Sequence, residues 1–216
     1  MKEKKVLMVM AHPDDEILFG WPVFFDPKYK KKLLICSSDY NNPERAWCKY
    51  RKKSLFKVCY EEGVPVECLD YNSSFYRTVT RRPKSVPRSE YGDAQAPFRK
   101  MCDTISERIK QLQDSYDYIF THNPFGEYGH MDHKLLFDIV TETTCKDVLI
   151  TDINLPSNWA GKKDFTSKKN VLYYRHKVED CRIDKDKYRN YENIYKNDKV
   201  WTWSREIPTE CSLYKL

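Results

Sequence analysis

The chain has 216 residues, of which 40% are hydrophobic and 14% aromatic. That is enough to bury a core without metal or disulfide staples, and it excludes disorder as a description of the whole chain. Lys plus Arg number 38 against 32 Asp plus Glu, and a net +6 on this length marks out no nucleic-acid partner.

Domains usually run to roughly 100–200 residues, so one domain over 1–216 is expected. Eight cysteines stand at 36, 48, 59, 68, 102, 145, 181 and 211, with no C-x-x-C pair. The start, Met-Lys-Glu-Lys-Lys, is followed by five apolar residues, Val6 to Met10. A secretory segment needs roughly 7–15. The cysteines therefore read as reduced thiols of a soluble, cytoplasmic protein. No run approaches the ~18 apolar residues of a membrane span, so no membrane insertion is expected.

Lys5 to Met10 is a continuous apolar run, which suits a buried parallel strand. An amphipathic segment follows from about Asp15 to Phe24. After a Lys-rich turn, Lys28 to Lys32, the run Leu33 to Cys36 reads as a second strand. Residues 43–62 read as a helix opening at Asn42-Pro43 and closing at Gly63. Val64 to Leu69 is a third strand. Residues 71–97 hold three prolines and the basic series Arg77, Arg81, Arg82, Lys84 and Arg88. A loop of that length suits an active-site cover or a solvated segment. Phe98 to Gln113 has helical spacing at Met101, Ile105, Ile109 and Leu112. Tyr116 to Thr121 is a strand, His130 to Thr143 a helix, and Asp147 to Thr151 and Asn170 to Tyr174 are strands. The Lys- and Tyr-rich tail from Val178 has room for one more helix, and nothing in it specifies a role. Alternating strands and helices predict an α/β fold with a mainly parallel sheet. In such sheets, chemistry gathers beyond the carboxyl ends of the strands.

His12-Pro13-Asp14-Asp15-Glu16 places one imidazole and three carboxylates directly after the first strand. A helix N-terminus favours negative charge there, but it does not call for a histidine as well. Alone, the pattern suits a helix cap as well as it suits one nitrogen and one oxygen ligand of a metal. The second cluster is Tyr128-Gly129-His130-Met131-Asp132-His133. On a helix, His130 and His133 share a face; Asp132 between them can orient a ring, and next to His130 it favours that ring's charged form. His12, Asp15 and His133 together make a two-nitrogen, one-oxygen set with coordination positions open. Three protein ligands plus water is the pattern of a catalytic zinc site, whereas a closed structural site would use cysteines. Ferrous iron suits the same donors. His122, Asn123 and Glu127 fit either contacts around the site or plain packing. His176 reads as exposed. Trp47, Trp159, Trp201 and Trp203 suit a core or a sugar-stacking surface.

The two motifs, in this order and spacing, resemble the LmbE-like family. That family includes the N-acetylglucosaminyl-phosphatidylinositol de-N-acetylases and the deacetylases of the mycothiol and bacillithiol pathways. The resemblance runs from the first strand to about residue 143, with Met131 where proline is common. It implies a Rossmann-like three-layer α/β sandwich and metal-dependent removal of an N-acetyl group from a sugar or glycoconjugate. By the resemblance, His12, Asp15 and His133 match the metal ligands and Asp14 the general base. His130 matches the residue that stabilises the transition state and protonates the amine, and Tyr128 matches a tyrosine that helps the oxyanion. Arg51 matches a substrate-binding arginine in a helix of the form Arg-x-x-Glu, with Ser54 here in place of the glutamate. Two other readings stay open: an amidohydrolase of another N-acyl small molecule, and a metal-binding module of the same fold without turnover.

Overall fold

Lys4–Met10 forms the first strand, β1, and its side chains from Val6 onward are fully buried. Val6, Met8 and Met10 enter one hydrophobic cluster, while Leu7, Val9 and Ala11 enter a second. The split follows the two-residue period of a strand. Because both faces are covered, no polar side interrupts the run, and the sequence shows no alternation. Truncating Leu7 or Met8 to Ala would cost about 2–5 kcal/mol.

The computed structural model describes residues 3–38, 48–71, 92–155 and 176–216. Outside them lie the expected strand 170–174, the basic series between Arg77 and Arg88, the start of the helix expected from 43, Trp47 and Trp159. Strands β2 (Tyr29–Ser37), β3 (Val66–Tyr71), β4 (Tyr118–Phe120), β5 (Asp147–Thr151), β6 (His176–Arg182) and β7 (Glu210–Lys215) join β1 in one sheet. Its order is β3-β2-β1-β4-β5-β7-β6. The first five strands are parallel; β7 runs antiparallel to both β5 and β6.

The helices are α1 (Asp15–Leu18), α2 (Trp21–Phe24), α3 (Cys48–Glu62), α4 (Gly92–Gln113), α5 (Gly126–Gly129), α6 (Met131–Thr143) and α7 (Lys185–Asn197). Leu55 and Val58 of α3, with Tyr191 and Tyr195 of α7, pack into the first cluster. Ile105 and Ile109 of α4, with Leu136 and Val140 of α6, pack into the second. The sheet is thus covered on both faces, and the expected Rossmann-like α/β sandwich is the fold observed.

Several local expectations change. The segment Asp15 to Phe24 is two short turns rather than one amphipathic helix. Pro22 has no N–H to offer the carbonyl of Leu18, so the ladder cannot continue. At Gly20 a Cβ would stand 2.9 Å from the Glu16 carbonyl oxygen, which leaves room for glycine alone. The lysines read as a turn belong largely to β2. Lys31 Nζ donates to the Phe24 and Asp26 carbonyls at 2.8 and 2.9 Å, and Lys32 Nζ to Glu67 at 2.8 Å, so each charge finds a partner beside the sheet. The long loop read as 71–97 yields its last residues to α4, which starts at Gly92. The tail holds the expected helix and also two strands, β6 and β7.

From β1 the chain passes to β2 on one side, whereas β4 lies on the other side of β1. The strand order therefore reverses between β1 and β4. A crevice opens at such a switch point, beyond the carboxyl ends of the strands.

Candidate active site

Both motifs emerge at this crevice. Thr121 Oγ1 donates to the Val9 carbonyl at 2.9 Å, and the Ala11 N–H donates to His122 Nε2 at 3.0 Å, tying the ends of β1 and β4 together. After β1, the Asp14 backbone turns into the left-handed region (φ 90°, ψ −19°), a conformation a short polar residue tolerates. Its N–H donates to Glu16 Oε2 at 2.8 Å. The other carboxyl oxygen of Glu16 accepts from the Tyr195 hydroxyl at 2.5 Å. Burial pushes Glu16 up to about 8, against the opposing pull of the Tyr195 bond.

After β4, Asn123 and Glu127 build the second loop. Gly126 and Glu127 both take positive φ (66° and 52°), which breaks α5 into a kinked turn and folds Glu127 inward. Glu127 Oε1 accepts from the Asn123 N–H at 3.0 Å. Glu127 Oε2 lies 2.6 Å from His133 Nδ1 and 3.1 Å from His122 Nδ1. One buried carboxylate thus orients two rings. On the far side, Asp132 Oδ2 lies 2.8 Å from His12 Nε2.

His12, Asp15 and His133 are the expected ligand set; among the described residues, the donor atoms that all lie within 4.8 Å of one another are those of Asp15, His122 and His133, and those of His12, His130 and His133. Asp15 Oδ2 lies 3.3 Å from His12 Nδ1 and 3.4 Å from His133 Nε2. His133 is wholly buried, and its Nε2 has no hydrogen-bond partner among the described residues. Asp15 Oδ2 also accepts the His12 N–H at 2.8 Å, and either a second ring proton on His133 or a cation between the two atoms would satisfy the His133 nitrogen. Ligands about 2.0–2.1 Å from a tetrahedral ion stand about 3.3 Å apart, so these separations fit a divalent metal. In each of the two histidines the remaining ring nitrogen is held by a carboxylate, the usual support of a ligating imidazole.

His122 lies 3.4 Å from the same Asp15 oxygen. Its Nε2 lone pair, however, already accepts the Ala11 N–H, and its Nδ1 faces Glu127. It also belongs, with Asp15 and His133, to a buried group whose donor atoms all lie within 4.8 Å of one another.

The histidines and carboxylates of the pocket perturb one another strongly. Burial opposes charge on His12, yet its bonds to Asp132 and Asp15 outweigh that and push it up to about 10. Burial raises Asp15, but His133, His12 and His122 hold it well below the usual carboxylate range.

The remaining candidates surround this centre. Asp14 is 1% exposed and accepts from Arg51 Nε at 3.1 Å, with a second bond from Arg51 Nη2. Burial raises its pKa, and the Arg51 guanidinium opposes that rise. Arg51, expected to reach substrate, is directed at Asp14. Ser54 donates to Asp198 Oδ2 at 2.8 Å. His130 caps α6, its Nδ1 accepting the Asp132 N–H at 3.2 Å. Asp132 meets His130 through its backbone N–H, and the ring its carboxylate orients is that of His12. The His130 and His133 rings stack at 4.5 Å. Tyr128 lies edge-on to His133 at 5.6 Å and to Trp203 at 5.2 Å.

Sequence alone leaves Glu127 ambiguous and Tyr195 unmarked. A glutamate four residues beyond Asn123 on a Gly-containing loop is a weak signal, and the Tyr195 contact crosses 179 residues.

Strand order, crevice and centre together define an α/β protein with a buried histidine–carboxylate pocket at the switch point of its sheet. Residues 7–144, more than half of the chain, match the PIG-L family, described as GlcNAc-PI de-N-acetylase. The chain belongs to this LmbE-like deacetylase family. It is 25% identical over 206 residues to an uncharacterized protein of Acanthamoeba polyphaga mimivirus, covering 90% of this chain and 78% of that protein. In fold it is similar to a deacetylase of the teicoplanin biosynthesis pathway solved in complex with teicoplanin (TM-score 0.60, 11% identity, 98% and 97% of the two chains). It is also similar to the zinc-inhibited form of teicoplanin deacetylase (TM-score 0.59, 11% identity, 98% and 97%).

Proposed function

We propose that this protein hydrolyses the N-acetyl group of a sugar or glycoconjugate, with His12 Nδ1, Asp15 and His133 Nε2 holding zinc or ferrous iron. The observation that carries the reading is that Asp15 Oδ2 and the buried His133 Nε2 face each other beside His12. When bound, the ion lowers the pKa of water toward about 7 and polarises the amide carbonyl.

The chain's own residues supply the rest. Arg51 favours the ionised form of Asp14 against the effect of burial, so the carboxylate is ready to take a proton from the attacking water. The Tyr128 hydroxyl donates to the carbonyl oxygen as negative charge develops there. His130 in its doubly protonated form gives a proton to the leaving nitrogen. The ring then returns to the neutral form whose Nδ1 caps α6. The proton held by Asp14 passes back through His130 or to solvent, which resets both groups. Asp132 and Glu127 keep the His12 and His133 rings in one tautomer and orientation.

A sugar-bearing substrate is supported by the family description and by the teicoplanin complex of a similar fold. No described helix is long and apolar enough to cross a membrane. All eight cysteines are thiols, which suits a cytoplasmic location. The test is acetate release from a panel of N-acetylated sugars, run beside metal analysis. Asp14→Ala is expected to keep the metal and lose turnover, and His133→Ala to lose the metal. Unimpaired turnover in Asp14→Ala would remove Asp14 from the mechanism.

A further inference from the structure

Two cysteines stand opposite each other where the sheet ends. Cys181 of the edge strand β6 and Cys211 of β7 are register partners in an antiparallel pair, so their side chains share one face. Such partners hold their Cα atoms roughly 4.5–5.5 Å apart, inside the roughly 4.4–6.8 Å that a disulfide spans. The register is fixed on both sides of them. Ser212 Oγ donates to Asp180 at 2.6 Å, Arg182 pairs with Glu210 at 2.7 Å, and the Ile183 N–H donates to the Thr209 carbonyl at 2.9 Å.

Both thiols are free and partly exposed, so a small oxidant can reach them. Cys211 donates to the Cys181 sulfur, and that bond holds the Cys181 thiol below its ordinary pKa while Cys211 is raised. A thiol so placed supplies the thiolate that redox chemistry needs. Burial pushes Cys36, Cys59 and Cys68 the other way.

Between the two cysteines the chain makes one excursion, α7 and the segment 198–209. It brings the Tyr195 hydroxyl to Glu16 at 2.5 Å, and the Trp203 ring to those of Tyr128 and Phe19 at 5.2 and 5.5 Å. The same excursion walls a cavity of about 600 Å³, and Ile183 and Thr209, next along the ladder from the cysteines, line it. The cysteines thus stand at the two feet of the loop that reaches the catalytic crevice.

We propose that Cys181 and Cys211 form a reversible disulfide, a redox modification site that clamps the feet of this excursion. The oxidant is a peroxide. The Cys181 thiolate attacks one peroxide oxygen: an S–O bond forms, the O–O bond breaks, and the released hydroxide takes the proton that Cys181 gave up. The Cys211 sulfur then attacks the sulfenic sulfur: the S–S bond forms, the S–O bond breaks, and the Cys211 proton leaves with the hydroxide as water. The two thiols lose two electrons in all, and one peroxide gains them. A dithiol reverses the bond by exchange through a mixed disulfide.

Reduced protein treated with a small excess of hydrogen peroxide tests this by intact mass, thiol titration and peptide mapping. The mass should fall by about 2 Da, as a disulfide requires, and the free thiols should fall from eight to six. Mapping should return one cross-linked peptide pair, Cys181 with Cys211. Closing a loop of about 30 residues restricts the unfolded chain, so the melting temperature should rise by about 10 °C and return with dithiothreitol. Cys181→Ser and Cys211→Ser should each lose both changes while melting like the reduced wild type. A cross-link mapped to other cysteines, oxidation to sulfinic acid without a cross-link, or an unchanged melting temperature in cross-linked protein would overturn the proposal. These readouts need neither metal nor turnover, so a failed deacetylase assay leaves them standing.

Discussion

The Tyr195 hydroxyl donates to Glu16 Oε1 at 2.5 Å, so a residue near the end of α7 reaches the first motif across 179 positions. Glu16 in turn accepts the Asp14 N–H and pins that backbone in its left-handed turn. Such a turn costs on the order of 1 kcal/mol and persists only where neighbours hold it. Tyr195→Phe is expected to lower kcat about ten-fold with KM and metal content unchanged. It should also cost about 1–3 kcal/mol in unfolding free energy, because a buried acceptor loses its partner. Steady-state kinetics beside thermal melts would show both; a wild-type kcat would free Asp14 from this support.

Glu127 braces His133 and His122 through a single oxygen, Oε2. Glu127→Gln keeps the shape but presents only one acceptor oxygen to the loop amide and the two rings. Loss of such a bracing carboxylate typically lowers metal affinity 10–100-fold, and that range is expected in a zinc-competition titration. Asp132→Asn should act in the same direction through His12. Affinity unchanged in both variants would mean that the rings are held by packing alone.

The Arg51–Asp14 pair is fully buried at the carboxylate and largely so at the guanidinium, with side chains 1% and 14% exposed. Arg51→Met strands a buried carboxylate and should destabilise the protein by about 3–5 kcal/mol. Adding Asp14→Asn removes the stranded charge and should restore most of that loss. Denaturant unfolding of the two single variants and the double variant closes the cycle. Purely additive losses would show that the two residues do not interact.

Away from the site, Glu67 on β3 accepts two bonds from Arg108 (2.6 and 2.8 Å) and one from Lys32 (2.8 Å). The Arg108 bonds are the largest cause holding its carboxyl down at about 2, below its ordinary 4.5. A lowered folded-state pKa stabilises above the ordinary value and is lost as pH falls from about 4.5 through about 2. The groups are partly exposed, so screening limits the contribution to about 1 kcal/mol. Glu67→Gln should flatten the stability–pH curve in that window and leave its slope near neutrality unchanged.

The sheet is legible in the sequence because β1, β2 and β5 are buried on both faces and their apolar runs stand out. Edges are harder: Lys30 to Lys32 read as a turn, although Lys31 and Lys32 find acceptors beside the strand. β6 and β7 escape notice because β6 (His-Lys-Val-Glu-Asp-Cys-Arg) is largely exposed and carries no apolar period. The two His motifs declare themselves by dense, unlike donors at strand ends. Their supports do not, since Glu127 acts through a kink at positive φ and Tyr195 through tertiary packing. Helical adjacency pairs Asp132 with His130, whereas the crossing of two loops delivers its carboxylate to His12.

Helix α7 turns one flank to the core, through Tyr191 and Tyr195, and another, through Tyr188, Arg189, Glu192 and Lys196, to the neighbouring cavity. Tyr188 belongs to both, since it also packs against the core. Substitutions at Arg189, Glu192 and Lys196 leave the Tyr195 hydroxyl and its bond to Glu16 in place. One helix thus carries, a single residue apart, a position tied to the first motif and positions open to change.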